Sequence, residues 1–223
     1  MTTDNQAYYG QNRQTSTEGD FNQMQFVIAQ QLAKLQTSLP VRVESVTGGG
    51  LAPVGFVTIT VLVNQLSGDD KPYPGATIPN VPYMRLQGGV NAIIIDPKPG
   101  DIGMACFASR DITAVKNARR AAPPGSKRRY NFSDAMYVGG FLNGSPTQYI
   151  QFTDGGIVVH SPSAVTVNAP SITLNGDTTI NGNTTLNGNT SVVGTMLNNG
   201  TNVGSTHTHG GVQTGSGSTG TPQ

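Results

Sequence analysis

At 223 residues, 35% hydrophobic and only 11% charged, the chain can form one large domain or two small ones. Its 29 glycines and its many Asn and Thr exclude the usual make-up of a helical or α/β enzyme and favour short strands and tight turns. A net charge of +1 gives no global electrostatic case for a nucleic-acid or membrane-surface partner, and one cysteine excludes a disulfide framework within a chain.

The N-terminal "MTTDNQAYYGQNRQ" has no apolar core of a signal peptide, and no run of about 18 apolar residues reads as a membrane span. The ordinary secretion route is therefore not expected. Residues 1–18 are polar and read as a flexible arm. In "GDFNQMQFVIAQQLAKLQTSLP", Phe21, Ile28, Leu32, Leu35 and Leu39 recur at helical spacings, with Gln25 on the same seam. Asp20 and Gln23 read as a capping box, and Pro40 closes the segment. The pattern predicts a helix of about five turns over 20–39. It packs either on its own domain or on another subunit.

From Val41 to about residue 148 the period changes to two. "LPVRVESVTG" and "GFVTITVLVNQL" alternate, and "NAIIIDPKPGDIGMACFASRDI" holds two short apolar strands about a Pro-Gly turn. Cys106, in that run, reads as a buried small hydrophobe. "SDAMYVGGFLNG" gives a last strand. Five or six short strands in this length predict a small barrel of the OB type over 40–148. Within it, "KNARRAAPPGSKRRYNFSD" carries Lys116, Arg119, Arg120, Lys127, Arg128 and Arg129. A single-stranded nucleic-acid groove would need stacking rings beside such charges, and only Tyr130 and Phe132 are near. The loop reads as solvated or as a subunit contact.

After residue 149 the composition shifts again. Residues 149–203 contain no Lys or Arg and only two carboxylates, Asp154 and Asp177. Glycines recur every six residues, at Gly176, Gly182, Gly188, Gly194 and Gly200. Thr178, Thr184 and Thr190 keep one phase, and Ile180, Leu186 and Val192 another. These positions share one parity, so in strands they face one way. Such a unit cannot bury its own apolar face and must stack. A single-chain solenoid of this size has a meagre core and open edges. Three chains wound about one axis fill the core three times over and cover every edge. The pattern predicts an intertwined trimeric β-helix over 149–203, roughly 40 Å long at about 4.8 Å per layer.

His207 and His209 follow, in a tail of small polar residues. In an extended strand, residues i and i+2 share a face. Two ligands are too few for a tight metal site, but three-fold symmetry makes six. Zinc prefers four ligands. Octahedral nitrogen ligation suits Fe(II), with Ni(II) and Co(II) as competitors. With no ligand position left open, such a metal would staple chain ends and not catalyse. His160, alone in "IVVHSPS", reads as an ordinary strand histidine.

The order of these parts resembles the central spike, or membrane-puncturing protein, of contractile-tailed bacteriophages, related to the spikes of type VI secretion systems. The resemblance rests on "YPGATIPNVPYMRLQGGVNAIIIDPKPGDIGMACFASRDI", on "SKRRYNFSDAMYVGGF", on the repeat, and on "HTHGGVQTGSGSTGTPQ". It covers roughly residues 40–223 and leaves the arm and helix of 1–39 without a family role. It implies an all-β protein: an OB domain, a trimeric β-helix, and a pointed apex over 204–223. It further implies His207 and His209 as ligands of one Fe2+ per trimer, bound by six His in preference to zinc or nickel. The implied partners are two further copies of the chain, a tail hub or baseplate protein held by the OB domain, and the host outer membrane. The implied location is the baseplate tip of a virion. The spike would be made in the host cytoplasm and have no catalytic activity. Many such spikes carry a lysozyme or other enzyme domain; none is expected here.

Three rivals follow from the same residues. A polysaccharide-cleaving β-helix enzyme needs paired carboxylates, and Asp154 and Asp177 are far apart in sequence. A trimeric receptor-binding tail fibre or adhesin usually ends in a distinct binding domain, not in about twenty small polar residues. A nucleic-acid binder would need the basic loop to face an open groove and would weaken steeply with salt.

Overall fold

Strand alternation carries the N-terminal half. The computed structural model describes residues 19–66, 71–208, 210–211 and 215–216. The polar arm of 1–18 lies outside the described residues. The described chain is mostly β with few helices, and it divides into two units after Pro162.

The first element is α1 (Asp20–Leu32), 13 residues long. The helix expected over 20–39 is thus cut short, for a tertiary reason. Leu39 precedes a proline, which disfavours the α region. Gln36 N–H donates to the Tyr130 carbonyl, and Phe107 N–H donates to that of Thr37. The segment has therefore been recruited to the sheet. The capping box is also absent: Asp20 is the first helical residue, and Gly19 caps without a side-chain bond. No residue of α1 is buried.

Ten strands or short ladders follow before the chain leaves the first sheet region: β1 (Ser38–Thr47), β2 (Phe56–Val61), β3 (Gln65–Leu66), β4 (Pro72–Tyr73), β5 (Thr77–Pro82), β6 (Leu86–Gly88), β7 (Asn91–Ile93), β8 (Ile102–Phe107), β9 (Ala135–Gly140) and β10 (Tyr149–Thr153). Five of them form one antiparallel sheet in the order β5-β2-β1-β8-β9. Its two edges approach each other. Tyr83 and Tyr137 form a parallel bridge, and Met84 N–H donates to the Tyr137 carbonyl at 2.8 Å. The sheet therefore curls, with its core inside.

The alternation of "FVTITV" puts Val57, Ile59 and Val61 inward, against Val41 and Val43 of β1 and Ile78 and Val81 of β5. In β8, Ala105 and Phe107 face the same core. Cys106 faces the other way and is only half-buried, which corrects its reading as a core residue. Gly103 has a specific reason to be glycine. A Cβ there would collide with the Gly139 carbonyl and the Tyr137 ring, which lies directly over it. The run "NAIII" is not a strand of the five-stranded sheet. It forms β7, paired only with β6 in a hairpin whose Val90 tip is exposed.

Between β8 and β9 the chain makes a long excursion containing α2 (Thr113–Ala118) and a 3-10 turn (Phe132–Asp134). Its anchor is Arg128. The guanidinium donates to Asp134 from Nε (2.7 Å) and Nη2 (2.9 Å), and to Asp111 from Nη2 (2.8 Å). Asp134 is fully buried and also accepts from Ile112 N–H, while Asp111 accepts from Thr113 N–H and the Ser126 hydroxyl. A buried carboxylate must be paired in this way or lose its charge. Arg128 is thus a clamp and not the solvated cation expected from the sequence.

The Thr113 amide and hydroxyl, then Ser126 and the Arg128 charge, hold the Asp111 carboxyl at a pKa of about 2. Arg128 lowers Asp134 as well. Both folded values lie below the unfolded carboxylate range of about 3.9. Their contribution to stability is complete above that range and disappears as pH falls towards 2. Urea midpoints followed by circular dichroism should hold steady from neutral pH to about 5 and then drop. Asp111→Asn should flatten part of that drop; an unaltered slope would remove Asp111 as its source.

Candidate functional site

The chain beyond β10 begins with β11 (Gly156–His160), which pairs with β10 in a hairpin. Ile150, Phe152, Ile157 and Val159 lie on one face of it and are 58–76% exposed. On the other face the Tyr149 and His160 rings stack at 5.1 Å.

From Ser163 to Met196 no residue lies in a strand, and every residue from 162 to 200 is exposed. Val165, Val167, Ile172, Leu174, Ile180, Leu186 and Val192 are each more than half exposed. The repeating glycines all have positive φ, 127° at Gly176 and 124° at Gly194 among them. The six-residue period is therefore a backbone period as well as a sequence one. Within one chain this backbone period comes with no buried apolar group from 163 to 196 to offset the cost of fixing a backbone, about 1–2 kcal/mol per residue.

The apex begins with β12 (Leu197–Asn198) and β13 (Thr201–Asn202), a two-residue ladder. Val203 N–H closes it by donating to Met196. Asn202 then sets the following turn. Its Oδ1 accepts from Gly204 N–H, and its Nδ2 donates to the Thr206 hydroxyl, both at 2.9 Å. The Gly204 carbonyl accepts from the His207 amide at 3.1 Å and from the His207 ring Nδ1 at 2.6 Å. A carbonyl can only accept, so Nδ1 donates this bond, and in the neutral imidazole the lone pair is then on Nε2. Metal-ligating histidines commonly anchor their second nitrogen to a backbone carbonyl in this way. The donor chemistry of His207 therefore fits a metal ligand through Nε2. Sequence reading missed Asn202 and Gly204 as its supports; the Asx-turn pattern "NVG" was the available signal.

His209 lies outside the described residues, so the geometry of the pair is not described. Among the described residues of one chain, no group of three or more His, Cys, Asp and Glu comes together. No described helix is long and apolar enough to cross a membrane.

A family model described as the GpV Apex motif matches residues 205–223, the segment that holds both histidines. No curated protein matches the chain. The C-terminal segment is thus similar to a phage spike apex.

The glycine phase is open to direct test. Valine is strained at positive φ, at a cost of about 1–3 kcal/mol per residue. Gly194→Val should increase proteolytic cutting between residues 163 and 203 in the full-length protein and leave the sheet's unfolding midpoint unchanged. Unchanged cutting would show that the glycine conformation is not required.

Proposed function

We propose that this protein is the central spike of a contractile phage tail, a structural part that pierces the host outer membrane when the tail contracts. The observation that carries the reading is the apex match on residues 205–223. It follows a repeat whose apolar residues are exposed, with no partner surface among the described residues of their own chain. Three copies winding about one axis would cover them, giving a homotrimer with a β-helical shaft over 149–203. The strand order supports an OB domain at the other end. Counting only the five sheet strands, the third lies beside the second, then come the first, fourth and fifth, and the third and fifth meet in parallel. That order suits a five-stranded Greek-key barrel of the OB type. This domain would attach the spike to the tail hub or baseplate, at the tip of the virion.

His207 and His209 of three chains would hold one Fe2+ through six imidazoles. When bound, the metal supplies a cross-link between chain ends and no reaction. Disorder concentrates at termini, and a tip under load must not fray from there. A His207 ring anchored through Nδ1 to the Gly204 carbonyl suits this role. No catalytic activity is proposed. A receptor-binding fibre would share the repeat, but the apex match favours the spike.

Elemental analysis of the purified full chain should find one iron per three chains. The variant His207→Ala/His209→Ala should lose the iron and expose the C-terminus to proteolysis while remaining trimeric. A trimer that contains no iron, nickel, cobalt or zinc would overturn the metal assignment.

A further inference from the structure

Seven of the chain's thirteen Lys and Arg lie between Arg110 and Arg129, where Asp111 is the one acid. On a chain of net charge +1, that is a local concentration of charge. Arg110, Lys127, Arg128 and Arg129 line an open groove of about 350 Å³ together with Pro124 and Ser126. Arg128 is occupied by Asp111 and Asp134. Arg110, Lys127 and Arg129 are exposed and have no carboxylate partner among the described residues.

The groove is held in place from beneath. Ser126 is tied to Asp111, and Arg128 to both carboxylates, so Lys127 and Arg129 are carried on a tethered backbone. A site ordered in advance loses less freedom on binding.

We propose that this groove docks an acidic peptide segment of a partner protein, whose carboxylates pair with Arg110, Lys127 and Arg129. Arginine forks match carboxylates in two-point contacts. Single-stranded nucleic acid fits less well because no aromatic ring lines the groove. Phe132 is committed to the core, edge-on to Phe107 at 5.3 Å. A lone phosphate would meet one point, whereas these cations are spread along the loop. Assigning the partner to the tail hub rests on the spike reading above; the docking itself does not.

The test titrates the intact full-length protein with a labelled hexaglutamate peptide, at low and high salt. A thymidylate hexamer and inorganic phosphate serve as comparison probes. The peptide should bind, and binding should weaken as salt screens the charges. Arg110→Ala/Lys127→Ala/Arg129→Ala should weaken it about tenfold, with the circular dichroism spectrum unchanged. The control Lys34→Ala/Lys98→Ala should bind as the parent does. Equal loss in the control would overturn the site by making the effect one of net charge. Binding of the thymidylate or of phosphate as tightly as the peptide would overturn the acidic-peptide assignment. Solution mass of the same sample separates the two proposals. A trimer that fails to bind the peptide refutes the docking alone, and a monomer that binds it refutes the spike alone.

Discussion

Among the described residues of their own chain, the apolar residues of the C-terminal repeat have nothing to pack against, and the functional reading depends on that constraint. Leu174, Ile180, Leu186 and Val192 recur in one phase and stand open to solvent. Their glycines repeat a positive φ at the same interval. An extended segment that buries nothing cannot offset the entropy of its own ordering. A regular backbone period with a regular apolar period is what the proposed association with other chains would explain. Identical copies are the simplest supply, because symmetry brings the same residue to each layer.

The N-terminal unit solves the opposite problem. Its five-stranded sheet curls until Tyr83 meets Tyr137 and encloses a core of mostly β-branched residues. The long excursion between β8 and β9 would be loose if solvation were its only support. Arg128 prevents this by joining Asp111 and Asp134, which lie on opposite sides of the excursion. A second clamp acts elsewhere: Asp96 accepts from the Tyr83 hydroxyl at 2.7 Å and from Arg85 at 3.2 Å, while Arg85 also donates to the Ala52 carbonyl. Polar side chains thus fix the loops, and apolar alternation fixes the strands.

What could be read from sequence follows the same division. β1, β2, β8 and β9 were legible because alternation is local and periodic. β5 was not, since Pro79 and Pro82 interrupt any strand pattern; it is tolerated because β5 lies at the end of the ladder order. The continuous run "NAIII" carried no period to separate a core strand from the exposed hairpin it forms. The helix was overextended because Leu35 and Leu39 keep its spacing, while Leu35 N–H closes a turn on the Leu32 carbonyl and Leu39 pairs with Ala105 in the sheet. The Arg128 clamp joins residues 6 and 17 positions away, which no local spacing rule reveals. At the apex, the two histidines were visible as a pair, and "NVG" signalled a turn, but that this turn supports His207 through the Gly204 carbonyl was seen only in three dimensions.

The most direct test of the central claim is the solution mass of the intact chain by sedimentation equilibrium. Three chain masses, stable on dilution, is the result this account predicts. A single chain mass at micromolar concentration, with residues 163–203 still resistant to protease, would contradict it, because the repeat would then be ordered without the neighbours its exposed apolar residues require.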